Sequence, residues 1–499
     1  MTAPRSRLRL WLKLGAALAV VVVAALVLAR RQLVETAVGA VLRLAGASEV
    51  KLSVAQASPW RVVLDDVAFS VRTQPFAAGR VTFERAHWWT PSVGHVRIER
   101  AYFPFHADGS DTNPWAWATY PGGPSKDPPA LPAEKLSVDG TLAIKASALP
   151  DQDVEIRLEA EWAEGEEWKG RVTGKGRGLD VAARASFWPS SGDVAFQVSE
   201  ARVDLAAWQD FVHRLVILPG GRWEAAGILV ATVDGRRSGG RTDVGGTVRL
   251  EGGSLANAER KIAATGIECE ISFRDFDRVQ SEGGKLKVAE LRVGEFPVND
   301  LDVAFDFASA NQVAIRAARA RALGGVVSTA EPFNVFLDQQ DLEIVVRAEG
   351  LALEQILALA KNVPAQATGR VDGRVPLQFG RNGVRFGTGW LALKEGTTAE
   401  LQLNAAGLLT RGTDARSPAF AVLQKVESGL LRLRVGTLRL DIYPPNRPPG
   451  RSATVRVAGE PIDPSVKAPV TLDLNVNGPI ERLINLGLDS RVKVGGERP

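Results

Sequence analysis

Side chains that commonly carry out chemistry are few in this chain, and their spacing does not match the arrangements that reactions require. Ser48 and Lys51 have the Ser-x-x-Lys spacing of a serine nucleophile beside a lysine, but they fall at a predicted helix-to-strand junction without any supporting motif. The four histidines include no pair at the i, i+4 spacing by which one helix face presents two metal ligands; they are His87, His95, His106 and His213. We therefore predict no catalytic residue and no helical metal site.

Two further segments resemble ion or phosphate sites only loosely. In HADGSD, His106, Asp108 and Asp111 could gather around a cation, but the glycine and serine between the acids favour a simple turn. The glycines of VTGKGRG lack the spacing of a dinucleotide loop and precede no helical pattern. Cys269 is the single cysteine, so the chain can form neither an internal disulfide nor a thiolate metal site. The sequence predicts no enzyme, no metal and no cofactor.

Charge is balanced along the chain. The 61 lysines and arginines stand against 57 acidic residues, for a net charge of +4. No block of basic residues is interleaved with aromatic residues, which is the pattern that nucleic-acid surfaces favour. Nucleic-acid binding is therefore not expected.

The N-terminus carries an apolar run that predicts a membrane anchor. Leu14 to Ala29 is unbroken, and with Leu8 to Leu12 the run reaches about 20 residues, enough to span a bilayer. More cations precede the run than follow it, so the tail is expected in the cytoplasm and the rest of the chain on the other side. A cleaved signal peptide ending near Ala29 is the alternative. We predict that residues 1–31 form a cytoplasmic tail and a single-pass anchor.

Residues 371–379 alternate apolar and polar side chains, which is the pattern of a half-buried β-strand. Asn382 and Gly383 favour a tight hairpin turn, and the alternation resumes on the return strand. The residues predicted to share the apolar face of this hairpin are Val375, Leu377, Phe379, Val384, Phe386 and Trp390.

Similar alternation recurs about every 10 to 15 residues to the end of the chain, so antiparallel β-structure is expected to dominate. Gly436 shifts the phase of one such run, which predicts a β-bulge. The last run, Val470 to Val476, contains no proline, and its one charged residue, Asp473, falls on the polar face. Such a strand can lie at a sheet edge and accept a partner's strand, and its apolar residues are Val470, Leu472, Leu474 and Val476.

Short helices are predicted between these strands. One covers Gln32 to Ala45 and another begins at Pro479. Two more are marked by apolar stripes at helical spacing, Leu205, Trp208, Val212 and Leu215, and Leu353, Ile356, Leu357 and Ala360. The predicted organisation is the anchor at 1–31, a membrane-proximal helix and β-region at 32–118, a Pro/Gly-rich linker or loop at 119–136, a central β-region with a short helix at 137–219, and a C-terminal β-domain at 220–499.

Two arrangements would keep the apolar faces of these strands away from water. Periodicity alone favours β-sandwiches whose faces cover each other. The alternative is one elongated, curved antiparallel sheet whose concave apolar face stays open, a taco-like β-groove. Exposed apolar patches beyond a few hundred Å² normally mark a binding site, and beside a membrane anchor acyl chains are the natural occupants.

Five segments resemble the YdbH family, part of the wider AsmA-like group that includes TamB. They cover about residues 220–499 and read LRVGEFPVNDLDVAFDF, ARALGGVVSTAEPFNV, RAEGLALEQILALAKNVPAQATGRVDGRVPLQFGRNGVRFGTGWLAL, LRLRVGTLRLDIYP and VTLDLNVNGPIERLINLGL. The N-terminal helix followed by VKLSVAQASPWRVVLDDVAFS is similar to AsmA-like proteins too. The name "dicarboxylate transport" is also used for this domain, but no residue pattern here supports that activity.

The resemblance implies a protein anchored in the inner membrane, with most of the chain in the periplasm, whose β-groove carries phospholipids towards the outer membrane. It also implies a small outer-membrane lipoprotein as partner. The apolar face of the hairpin at 371–390 would then contact acyl chains. Assembly of outer-membrane proteins through sheet edges, and a purely structural envelope tether, remain as alternatives. The chain is short for the family: about 20 to 25 strands give a groove on the order of 100 to 120 Å, so a partner or further copies are expected to extend it.

Overall fold

The computed structural model describes the chain between residues 30 and 476, with gaps. The described residues are 30–40, 42–43, 47–71, 74–86, 93–106, 133–145, 151–163, 167–188, 190–210, 213, 222–239, 241–294, 296–339, 341–359, 365–380, 383–403, 410, 414–444, 451–464, 466 and 469–476. They divide into two compact units, unit 1 (Met1–Val203 and Ala231–Val244) and unit 2 (Asp204–Val230 and Gly245–Pro499).

Strands make up most of unit 1. Up to its boundary near residue 203 they are β1 (Ala47–Ala57), β2 (Arg61–Val71), β3 (Gln74–Arg85), β4 (Val93–His106), β5 (Ala133–Lys145), β6 (Gln152–Ala163), β7 (Glu167–Gly176), β8 (Leu179–Trp188) and β9 (Asp193–Asp204). Neighbours in sequence pair antiparallel, except that β4 and β5 are parallel. The long strands β10 (Glu224–Ser238) and β11 (Arg241–Asn257) each contain a boundary between the units.

The described residues of unit 2 form strands of 4 to 14 residues and two continuous helices. The strands are β12 (Ile262–Asp275), β13 (Gln280–Val293), β14 (Phe296–Ser309), β15 (Gln312–Ala322), β16 (Gly325–Thr329), β17 (Phe333–Phe336), β18 (Leu342–Ala352), β19 (Ala365–Thr368), β20 (Arg370–Gly380), β21 (Gly383–Phe386), β22 (Gly389–Leu393), β23 (Ala399–Leu403), β24 (Arg432–Ile442), β25 (Ala453–Pro461) and β26 (Val470–Val476). The helices are Leu353–Leu359 and Pro418–Leu431. The prediction of a mainly β protein with a few short helices is confirmed.

The N-terminal helix covers one core of unit 1. Residues 30–40 and 42–43 are helical, in agreement with the helix predicted from Gln32. Val34 and Val38 lie one turn apart and pack against the buried side chains of Val54, Leu64 and Val67 on β1 and β2. The apolar stripe thus places this helix on the sheet.

In unit 2 the antiparallel order runs β11 to β15, then through β16 to β18, β20, β22, β24, β25 and β26. Bulges interrupt several of these strands. The register shifts at Asp300 in β14, at Gly350 in β18 and at Gly436 in β24, so the bulge predicted at Gly436 is confirmed. Asp300 and Gly350 have positive φ angles of 50° and 63°.

Each bulge changes which residues share a face. An extra residue shifts the alternation by one, so apolar residues three apart come to lie on the same side. Ala348 and Leu351 flank the bulge at Gly350, and both are buried in one cluster. Val435 and Leu438 do the same around Gly436.

Several predicted elements lie wholly or partly outside the described residues: the apolar run up to Ala29, most of the linker at 119–136 and the helix from Pro479. Within the described part of the chain, no helix has the length and hydropathy of a membrane span. Of the helix predicted around Trp208, residues 209, 210 and 213 are helical and 205–208 form a turn. The predicted domain boundaries stay a prediction.

Alanine substitutions at two glycines with positive φ angles can test how closely neighbouring strands approach each other. Gly266 in β12 (φ 62°) would place an added Cβ 2.6 Å from the Cβ of Ala289, whereas Gly283 in β13 (φ 74°) has open space there. Both alanine variants incur the cost of a left-handed backbone, but only Gly266→Ala also crowds the neighbouring strand. We expect Gly266→Ala to lower the free energy of unfolding by about 1–3 kcal/mol more than Gly283→Ala, measured by chemical denaturation. Equal losses would contradict this account of the strand contact.

Candidate binding face

The predicted hairpin lies in a larger apolar surface formed by β18, β20 and β21. Cross-strand partners are Leu342 with Phe379, Ile344 with Leu377, and Val346 with Val375. Paired residues of antiparallel strands point to the same side of a sheet. We call this surface the open face; its residues are Leu342, Ile344, Val346, Val375, Leu377, Phe379 and Phe386, and all of them are partly exposed. The backbone of Val384 pairs with Phe379, so its position belongs to the same face.

The open face borders a longer apolar row that crosses the strands of unit 2 on the same side. Successive partners on strands β11 to β15 are Leu250, Cys269, Leu286, Val303 and Ala318. Ala320, two residues beyond Ala318 on the same side of β15, continues the row through Val327, Ala348, Gly373, Leu391, Leu440, Val455 and Leu474. No member of this apolar row carries a charge. Burial raises the pKa of the Cys269 thiol, so that side chain is held in its neutral form.

The apolar side of β20 is buried at one end of the strand and partly exposed at the other. At one end of β20, Val371 is 1% exposed, and Leu433 on β24 is fully buried. The helix Leu353–Leu359 covers them, because its Leu353, Ile356 and Leu357 pack into the same cluster, as the apolar stripe predicted. At the other end of β20 the side chains of the open face stay partly exposed.

The strands that contribute to this cluster are all hydrogen-bonded into one sheet, and a helix covers it. In a β-sandwich a second sheet would cover the face instead. The surface of unit 2 is therefore better described as an open binding face than as one of the two layers of a β-sandwich.

Trp390 does not lie on the open face, and this part of our prediction is wrong. It pairs with Arg374, whose side chain points to the opposite side, and its ring lies 5.6 Å from the guanidinium carbon of Arg439. The reason is an extra residue between β21 and β22, where the Gly387 N–H donates to the carbonyl of Pro376 and the register then shifts by one. Leu391 and Leu393 consequently take the apolar positions, which simple alternation had assigned to their neighbours.

The opposite side of the sheet is charged. Across β12 to β15, Glu268, Lys287, Asp302 and Arg319 are successive partners with alternating sign. Other ion pairs on this side, such as Arg456 with Asp473 at 3.7 Å, are well exposed. Each such pair contributes little to stability, but opposite charges side by side support the register that keeps the apolar row on one face.

The predicted edge strand is present as β26. It pairs with β25, where Leu472 faces Val457, Leu474 faces Val455, and the backbone of Val476 faces Ala453. Val470 and Leu472 pack against the buried cluster, whereas Leu474 is 51% exposed. The strand that pairs with β26 among the described residues is β25. Partner binding at this strand stays a prediction.

The segments considered for chemistry have structural explanations where they are described. The Ser48 hydroxyl donates to the carbonyl of Ser70, 3.3 Å away on the neighbouring strand. Gly174 and Gly176 lie in β7, and Gly178 in the turn to β8, so no helix follows them. Asp108 and Asp111 lie outside the described residues.

A second apolar surface lies in unit 1, where the sequence patterns led us to predict no site residues. Val138, Leu158, Val172, Ala183 and Val198 are successive partners across β5 to β9. The signal that marks it is the alternation along β6, in which every second residue from Val154 to Trp162 is apolar.

Comparison with known proteins gives one match. The family model described as "YdbH-like: Intermembrane phospholipid transport protein YdbH" matches residues 145–407, which is more than half of the chain. This span contains β6 to β9 of unit 1 and the open face of unit 2. No curated protein and no solved structure matches the chain.

The two sides of the hairpin should differ in what they contact. Photo-crosslinking groups at Phe379 and Phe386 should capture phospholipid when the full chain is irradiated with vesicles, because these side chains lie on the open face. The same groups at Gln378 and Arg385, a cross-strand pair on the charged side, serve as controls. Equal capture from both sides would count against a one-sided binding face.

Proposed function

The chain belongs to the YdbH-like family, whose model matches more than half of it, and on that premise we propose that it carries phospholipids between two membranes along its apolar faces. The observation that carries this proposal is the uncharged apolar row of unit 2, bordered by the partly exposed side chains of the open face.

Burial of the acyl chains supplies the binding free energy in this proposal. Transfer of apolar groups out of water is worth about 0.8 kcal/mol per methylene, so chains lying on the row are stabilised without any specific polar contact. The headgroup stays in water, and no charge need be buried. Because neighbouring strands present similar apolar side chains, a lipid can move from one strand to the next without losing this contact.

The proposed location follows the N-terminal sequence. The apolar run at residues 8–29 would anchor the chain in the inner membrane, with a cytoplasmic tail and the bulk of the protein in the periplasm. The N-terminal helix on unit 1 would then stand close to the bilayer. Protease accessibility from the periplasmic side tests this location.

The exposure of Leu474 favours a second part of the proposal, a partner at β26. A small outer-membrane lipoprotein could add a strand there and extend the path, because an unpaired strand edge offers backbone hydrogen bonds. An assembly factor for outer-membrane proteins or a structural tether would also use sheet edges, but neither requires an apolar row without charges.

A charge placed on the open face should block transport. Leu377→Asp puts a carboxylate among Ile344 and Phe386, where its unpaired burial under a lipid costs several kcal/mol. We expect full-length Leu377→Asp protein to lose most co-purified phospholipid and most lipid transfer between vesicles, while its thermal unfolding changes little because the site is partly open. Gln378→Asp, one residue along on the exposed side, is the matched control and should behave as wild type. Unfolding of Leu377→Asp would instead indicate a closed core.

Paired proline substitutions test the partner edge. Backbone N–H groups of successive residues point to opposite edges of a strand. One of two pairs, Leu472 with Leu474 or Thr471 with Asp473, therefore directs its N–H groups away from β25. Prolines in that pair should abolish pull-down of the lipoprotein without lowering the melting temperature, whereas prolines in the other pair should lower the melting temperature. Wild-type recruitment by both double variants would place the junction elsewhere.

A further inference from the structure

Unit 1 carries an aromatic row at one margin of its apolar surface. Trp162, Trp168, Phe187 and Val194 are successive cross-strand partners on β6 to β9, so they point to the same side. The rings of Trp162 and Trp168 meet edge to face with centroids 5.6 Å apart. Trp162 and Phe187 are 39% and 38% exposed, whereas Trp168 between them is only 6% exposed.

The next row inward consists of small residues on β6 to β8 and reaches Phe196 on β9. Ala160, Gly170 and Ala185 are successive partners directly beside the aromatic row. A Cβ added at Gly170 would lie 3.5 Å from the Cβ of Ala160, which is ordinary contact, so the space above the glycine is not filled by a neighbour. The aromatic rings therefore stand as a ridge beside a shallow channel.

Trp168 holds a polar group that nothing in this surface satisfies. Its indole Nε1 is buried and has no hydrogen-bond acceptor among the residues that the structure describes. Leaving a buried donor unpaired costs a folded protein stability. Indole combines an apolar ring with one N–H donor, which suits the level of a lipid where the chains meet the polar groups.

We propose that Trp168 donates its Nε1–H to an oxygen at the glycerol level of a bound phospholipid, and that the aromatic row thereby sets the orientation of the lipid on unit 1. The inference deepens the proposed function and rests on it. The acyl chains then cross the small-residue channel and run along the strands towards Val154. That path is about 27 Å for eight residues, longer than the roughly 15 Å of one bilayer leaflet.

The acceptor reaches the buried Nε1–H only if a neighbouring ring moves. Trp162 is the group placed to do so, because it contacts Trp168 edge to face and is itself partly exposed. The lipid then replaces one aromatic contact by a hydrogen bond together with new apolar contacts.

Trp168→Phe tests the role of the N–H, because it keeps an aromatic ring and removes the donor together with part of the indole. Trp188→Phe is the matched control, since Trp188 lies on β8 next to Phe187 and points to the opposite side. Full-length variants are loaded with a fluorescent phosphatidylethanolamine, which is displaced by unlabelled diester or diether phosphatidylethanolamine. We expect Trp168→Phe to bind the diester lipid about fivefold more weakly than wild type, and Trp188→Phe to match wild type.

The diether lipid identifies the acceptor, because it lacks ester carbonyls but keeps the phosphate. Weakening with the diester alone assigns an ester carbonyl, and weakening with both lipids assigns an oxygen that the two share, either a phosphate oxygen or the oxygen that links a chain to the glycerol. Unchanged affinity of Trp168→Phe for both lipids overturns the inference while the proposed function stands. Failure of wild type to bind the fluorescent lipid overturns the proposed function itself. The melting temperature of Trp168→Phe should fall only slightly, because the smaller ring loses apolar contacts while an unpaired buried donor is removed; a large fall would point to a structural role instead.

Discussion

Cross-strand register is the constraint on which the remaining structure depends. The side chains of a strand alternate, so the pairing of one strand with the next decides whether apolar residues continue on one face. In unit 2 the row from Leu250 to Leu474 requires this agreement at every strand. A register slip of one residue would turn the apolar side chains of that strand to the charged side of the sheet. The alternating charges of Glu268, Lys287 and Asp302 favour the same pairing from the opposite face.

Bulges and a helix adjust this regular pattern. At Gly350 and Gly436 an inserted residue brings apolar side chains three apart onto the same face, and the buried cluster forms around them. The helix Leu353–Leu359 covers that cluster. Stability is therefore concentrated at one end of β20, and the other end keeps its apolar side chains partly exposed. An unevenly covered face can remain folded while it still offers a binding surface.

Both units carry cross-strand rows of apolar side chains, but the side chains in the two units differ. The row of unit 2 is apolar and uncharged, which suits contact with acyl chains at any position along it. On unit 1 the apolar rows end at tryptophans, and Trp168 adds one unpaired donor. In a family of intermembrane phospholipid transport proteins, the first surface would supply movement and the second would supply orientation.

Local periodicity was enough to predict the mainly β fold, the strands at 371–379 and 470–476, and the helix at Leu353. The resemblance to the YdbH family also came from the residues. Which side of the sheet Trp390 occupies was decided only by the tertiary structure, since the extra residue near Gly387 changes the phase without a marked change in composition. The same holds for the burial of Val371 under a helix and for the unpaired Nε1–H of Trp168. Both depend on which distant residues come together, and local periodicity carries no information about that.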